Sequence, residues 1–227
     1  QTMTKEKWLE KRRNELLPCG YFHMVFTVPH VLNPFILKNK KELLTCLFSA
    51  VRDTVFAFAA DPQWRLEGKP GLLTILHTWS QTLIDHFHIH CLIPAGVLSM
   101  DGRRWIPSRE DFLFHVVPLA KEFKKRYLGL IKDKLDALIL PDNSSRLLQE
   151  AWNKDWIVHA KKPFAGPDQI LTYLGRYTHR VAISNHRIKA IDDQQIVFSY
   201  KDRSDENRSK TMSLSATEFI RRFLLHV

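Results

Sequence analysis

Residues 82–92 read TLIDHFHIHCL, which places His86, His88 and His90 at alternate positions. On a β-strand successive side chains point to opposite faces, so residues two apart share one. His88 and His90 therefore project two imidazoles side by side, with Ile89 turned to the core behind them. Two imidazoles on one strand can hold a divalent ion if a third protein ligand joins them and positions stay open for water and substrate. Gln81, on the neighbouring strand just before the hairpin connection, is the first choice for that ligand. His77, earlier on the same strand and face, and His86 are its rivals. Two imidazoles with an amide oxygen form a mixed nitrogen–oxygen set, better suited to Mg²⁺ or Mn²⁺ acting on phosphate than to four-ligand structural zinc. The competing reading is that these histidines are ordinary residues on a solvated strand.

The second constellation is Tyr173-Leu-Gly-Arg-Tyr177. Residues i and i+4 lie on one helix face, about 5–6 Å apart at Cβ, so both phenols could reach the same point. A phenolic oxygen that attacks a phosphodiester forms a covalent phosphotyrosine and keeps the energy of the bond. With an ordinary pKa of about 10, a phenol needs a metal to polarise the phosphate and a nearby cation. Arg176, His179 and Arg180 are cations on the same helix. Two tyrosines would permit two successive transfers. The plain alternative is core packing, since Ile170, Leu171, Leu174 and Tyr177 are also spaced as a helix face.

These groups need a frame. Tyr21–Pro29 is rich in aromatic and β-branched residues and reads as a strand. Lys40–Ala60 carries Leu43, Leu44, Leu47, Val51, Val55 and Phe58 at helical spacing and reads as an amphipathic helix. Gly71–Gln81 and Phe87–Pro94 form an expected antiparallel hairpin. Phe112–Leu140 is mostly helical from Pro118, Arg146–Asn153 is a polar helix, and Trp156–His159 is a short strand. Pro167 and Asp168 suit the first turn of the tyrosine helix, which should run to His179. Strands at 186–191, 195–200 and 210–214 follow, then a helix from Ser215. The fold class expected is α+β: a central antiparallel sheet with helices packed on it, extra helices and a small C-terminal β element.

Composition narrows the partner. Of 227 residues, 34 are Lys or Arg and 24 are Asp or Glu, for a formal charge of +10. Such an excess favours a polyanion, because each phosphate neutralised releases counterions. Single-stranded DNA is held by basic grooves with aromatic platforms. Trp79, Trp105, Phe112, Tyr127 and Trp156 are available for stacking, with Arg103, Arg104 and Arg109 near the first group of these. Lys161 and Lys162, just before the tyrosine helix, are the favoured DNA-binding pair. No apolar run suggests a membrane span, and the polar N-terminus does not read as a signal peptide. Cys19, Cys46 and Cys91 are too scattered for a disulfide framework or a CxxC zinc site, which fits a reducing cytosol.

The histidine–hydrophobic–histidine strand followed by a two-tyrosine helix resembles the HUH endonuclease superfamily. Within it, the chain resembles the two-tyrosine rolling-circle transposases of bacterial insertion sequences, the IS91-like group. The stretches that carry the likeness are 18–30, 76–81, 86–91, 161–187, 210–214 and 218–227, of which 161–187 is the most specific. The resemblance implies an HUH nuclease core with His88 and His90 as metal ligands, a polar third ligand from a neighbouring element, and Tyr173 and Tyr177 as nucleophiles. It implies nicking of single-stranded DNA through a 5′-phosphotyrosine link, then rejoining, in the bacterial cytoplasm at the nucleoid. A cysteine-rich zinc-binding segment usually precedes this region in the family. Residues 1–20 are accordingly expected to be a helical linker from such a module, and 21–227 the catalytic domain. The alternatives are a plasmid or phage replication initiator or relaxase, and a non-catalytic nucleic-acid-binding module.

Overall fold

Alternation decides the central sheet. The computed structural model describes residues 7, 10–11, 13–164, 169–170, 182–202 and 205–226. Strands β1 (Tyr21–Thr27), β3 (Leu73–Trp79), β4 (Asp85–Pro94) and β7 (Ile157–Phe164) form an antiparallel sheet in the order β3-β4-β1-β7. Phe22, Met24 and Phe26 of β1 and Phe87, Ile89 and Cys91 of β4 point to one face and belong to the main core. The opposite face carries the histidines. A sheet with one apolar and one functional face is a common outcome of strict two-residue alternation in antiparallel strands.

Two helices cover the apolar face. The first, after the short α1 (Asn33–Lys38), is α2 (Lys40–Ala60), and the second is α3 (Val116–Lys132). Leu43, Leu47, Val51 and Val55 of α2 recur at four-residue steps and are fully buried. Leu119, Phe123, Tyr127 and Ile131 of α3 do the same, as expected of an amphipathic stripe facing a core. Phe123 meets Phe26 edge-to-face at 5.2 Å, and the Tyr127 hydroxyl donates to the Leu43 carbonyl, locking the helices to the sheet and to each other. Buried Asn39, between α1 and α2, ties in the distant chain at Ile139 by accepting its N–H and donating to its carbonyl. Helix α2 is long and apolar enough to cross a membrane by composition, with a mean hydropathy of 1.5, yet half of that stretch is buried in the fold.

Two smaller sheets flank the frame. One, ordered β2-β5-β6, joins β2 (Gly68–Pro70), β5 (Gly96–Ser99) and β6 (Trp105–Pro107). These strands, only three or four residues each, are absent from the sequence-based expectation. The other orders β8 (Ile188–Ile191), β9 (Gln195–Asp202) and β10 (Arg208–Ser215) as β10-β9-β8. Past α4 (Ser144–Asn153), the last strand of the main sheet differs from expectation. β7 continues beyond His159 through Lys161 and Pro163 to Phe164, because it is an edge strand with a bulge facing β1 between His23 and Tyr21. Proline is tolerated at such positions, where its missing N–H breaks no ladder bond. The helical linker expected over residues 1–20 lies partly outside the described residues.

Phe26 is fully buried between the sheet and α3. We expect Phe26→Ala to lower unfolding free energy by about 3–5 kcal/mol, read from urea denaturation curves.

Candidate metal centre

The pairing of β3 with β4 sets His77 directly opposite His88, and Ile75 opposite His90. On the other side of β4, Thr27 and Val25 of β1 face His88 and His90. Directly paired residues share a face, so His77, His88 and His90 all project from the side of the sheet away from α2 and α3. Their ring centroids lie 5.4 Å (His77–His88), 4.5 Å (His77–His90) and 4.9 Å (His88–His90) apart. One nitrogen from each lies within 4.8 Å of the other two, and all three side chains are buried. An ion bound at about 2.0–2.1 Å from each nitrogen would set those nitrogens about 3–3.5 Å apart. Small side-chain rotations close that gap.

The outer nitrogens are also organised. His88 Nδ1 lies 2.8 Å from the His86 carbonyl, which can only accept, so Nδ1 carries the proton and Nε2 keeps its lone pair. His90 Nδ1 sits 2.9 Å from Nε2 of His23 on β1, with the two rings parallel to within 4°. Burial, and then the charge of Lys161, push the His23 pKa down to about 4. His77 stacks on Trp79 at 4.7 Å. Further out, His30 and His86 share a 2.8 Å hydrogen bond.

The histidines open into a cavity of about 310 Å³. Its floor is β3 and β4, and its walls include the Ser80–Thr82 turn, Ala182, and Tyr200, Lys201 and Asp202 of β9. Arg187, almost completely buried, staples these walls together: its guanidinium donates to the Ser199 carbonyl at 2.8 Å and to the Gln81 carbonyl. Helix α5 (Ala216–Leu224), capped by the Ser215 hydroxyl, holds the turn from outside. Arg222 donates to the Thr82 carbonyl at 3.1 Å, and His226 Nε2 donates to the Leu83 carbonyl at 3.2 Å. That support matters because Leu83 has φ 61°, a conformation a leucine adopts only under constraint.

The expected site residues are therefore distributed as follows. His88 and His90 share one face as alternation requires, and the residue grouped with them is His77. Gln81 lies in the turn beyond the end of β3 at Trp79; it lines the same cavity, and its main-chain carbonyl accepts from Arg187. His86 lines the cavity too, bonded to His30. Lys161 pairs opposite His23 across β1 and β7, which places it on the histidine face. Lys162 lies on β7 as well. Tyr173, Tyr177, Arg176, His179 and Arg180 lie outside the described residues. Among the proposed stacking residues, Tyr127 and Trp156 are core, with Trp156 Nε1 donating to the Ala151 carbonyl. Trp79 faces the cavity and Trp105 is 40% exposed. Sequence reasoning missed His23 and Arg187. His23 could have been found, since Tyr21, His23, Val25 and Thr27 fall on one face by alternation alone.

The Glu218 carboxyl is held down to about 2, first by its hydrogen bond from Arg221 and then by that from Arg222, the residue that grips Thr82. Its folded pKa lies below the ordinary 4.5. The stabilisation is therefore complete above pH 4.5 and fades as pH falls toward 2. We expect the melting temperature of Glu218→Gln to fall less than that of the unaltered protein across this range.

Comparison with known proteins agrees with the geometry. A family model described as "Putative transposase" matches residues 71–227, and one described as "Transposase zinc-binding domain" matches residues 1–28, which takes in residues 1–20, the stretch expected from the resemblance to be a linker. The chain is 41% identical to a "Putative transposase y4qJ" of Sinorhizobium fredii, covering 100% of this chain and 60% of that protein. It is 27% identical to the "Transposase for insertion sequence element IS801" of Pseudomonas savastanoi pv. phaseolicola, covering 98% of this chain and 54% of that protein. The chain thus spans less than two thirds of the length of either relative. No solved structure matches it significantly. With the family model running through the histidine strands, the tyrosine motif and the C-terminal helix, the chain belongs to the IS91-like transposases.

Proposed function

We propose that this domain nicks and rejoins single-stranded DNA through a 5′-phosphotyrosine intermediate during transposition of an insertion sequence. Its metal ligands are His77, His88 and His90, and its nucleophiles are Tyr173 and Tyr177. The observation that carries the reading is the convergence of three buried imidazoles on the open face of the sheet. Chain connectivity supports the partnership with the tyrosines. Ile170 is buried against Tyr21 and Leu92 on the histidine face, and Ala182 lines the histidine cavity. The tyrosine motif lies between these two anchors in the sequence, Tyr173 three residues after Ile170 and Tyr177 five before Ala182.

In the reaction a tyrosine phenolate oxygen bonds to phosphorus while the bond from phosphorus to the 3′-oxygen breaks. The 5′-phosphate stays on the tyrosine, and the departing 3′-oxygen takes up a proton to become a free hydroxyl. Attack by a 3′-hydroxyl reverses the step and releases the phenol. A bound divalent ion would polarise the phosphate and offset charge on its oxygens. Lys161 and Arg187 add positive charge beside the cavity, and Trp79 offers a ring for base stacking. Two tyrosines allow one end to remain attached while the second is cut.

The third ligand bears on the ion. Gln81 would give a mixed nitrogen–oxygen set, whereas His77 makes all three donors imidazole nitrogens. Imidazole suits transition metals, while Mg²⁺ prefers oxygen. Of the two ions expected from sequence, Mn²⁺ is favoured. Calorimetric titration should show Mn²⁺ binding at least about tenfold more tightly than Mg²⁺, with the Mn²⁺ affinity lost in His77→Ala and kept in Gln81→Ala. Affinity lost in Gln81→Ala and kept in His77→Ala would restore the amide as the third ligand.

The function itself is tested with 3′-labelled single-stranded DNA carrying insertion-sequence ends, incubated with Mn²⁺ and run on denaturing gels. A slow band should form with unaltered protein, persist in part with Tyr173→Phe or Tyr177→Phe, and vanish in the double variant and in His88→Ala. Binding without any covalent band would instead favour a non-catalytic DNA-binding module.

A further inference from the structure

We propose that His23 is a positioning residue: by accepting a hydrogen bond from His90 Nδ1, it fixes the tautomer that leaves His90 Nε2 free to bind the ion. The inference rests on the metal reading above. His23 Nε2 and His90 Nδ1 are 2.9 Å apart, and a ring-nitrogen pair at that distance shares one proton. If His23 donated it, neutral His90 would carry its own proton on Nε2, where no ion could bind. If His90 donates it, the lone pair lies on Nε2, available to the group formed with His77 and His88. Only the second arrangement makes a three-imidazole site.

The same logic already holds at His88, by a different device. There the acceptor is the main-chain carbonyl of His86, which no side-chain substitution removes. At His90 the acceptor is a side chain from the adjacent strand, and it acts on orientation as well as on protonation. The His23 and His90 ring centroids are 5.2 Å apart and their planes within 4°, the edge-to-edge alignment an in-plane bond between ring nitrogens needs, so rotation of His90 about its χ2 would break it. His23 is itself fixed, only 3% exposed on the central strand β1. Metal-bound histidines commonly depend on such an outer acceptor, and its loss typically weakens binding about 10–100-fold.

The test is calorimetric titration with Mn²⁺ of the unaltered protein, His23→Leu and His23→Gln, with far-ultraviolet circular dichroism melts to compare folding. Gln can present an acceptor oxygen where Nε2 stands, whereas Leu fills the space without one. We expect His23→Leu to weaken Mn²⁺ binding about 10–100-fold and His23→Gln to stay within about threefold of the unaltered protein. Equal loss in both variants would reduce His23 to a packing role, and full affinity in His23→Leu would remove it from the site; either overturns the proposal while the metal reading stands. Unaltered protein that binds no Mn²⁺ would overturn both. One readout needs no variant: ¹⁵N-histidine spectra of the metal-free protein should show His90 protonated at Nδ1, and a proton on Nε2 overturns the assignment.

Discussion

Cross-strand register is the constraint on which this molecule depends. His77 faces His88 because β3 and β4 pair in one register out of several that their hydrogen bonds would allow. A slip of one residue would turn every side chain of a strand to the wrong side. Here that would push His88 and His90 into the apolar layer and lift Phe87, Ile89 and Cys91 into the cavity. Burying even one uncompensated polar group costs on the order of a few kcal/mol, and exposing those apolar side chains adds comparable terms. The oily face thereby enforces the geometry of the histidine face, and the core and the site are two sides of one sheet.

The elements on the open face answer a different need. Three imidazoles make a site only if something closes the space around them without filling it. The β8–β9–β10 sheet supplies a wall, Arg187 ties that wall to the β3–β4 turn, and α5 grips the same turn through Arg222 and His226. These attachments are mainly hydrogen bonds to main-chain carbonyls, which fix position without depending on partner side chains. Two of the three histidines also have an organised Nδ1, through the His86 carbonyl and through His23. A cavity preorganised in this way spends little free energy on rearrangement when an ion and a phosphate arrive.

Much of this was legible in the sequence, for reasons that can be stated residue by residue. The helix Lys40–Ala60 has the bounds its apolar spacing gives, and alternation alone puts His88 and His90 on one face. The third member of the group was not legible as a choice, since His77 and Gln81 differ only in where β3 ends and how it pairs. The pairing becomes irregular between His77 and Trp79, so Gln81 falls in the turn. The strands β2, β5 and β6 are too short to leave a periodic signal. β7 runs five residues past the Trp156–His159 expected from sequence, since Pro163 is tolerated on an edge strand. Tyr127, expected among the DNA platforms, is core, as its four-residue steps from Leu119, Phe123 and Ile131 require.

The central claim is that His77, His88 and His90 hold one ion on the open face of the sheet. X-ray absorption spectroscopy on the Mn²⁺-loaded protein tests it most directly, because imidazole rings leave a characteristic multiple-scattering pattern that can be counted. Three imidazoles are expected in the first coordination shell, falling to two in His77→Ala. A shell made of oxygen with two imidazoles or fewer, unchanged by that substitution, would contradict it.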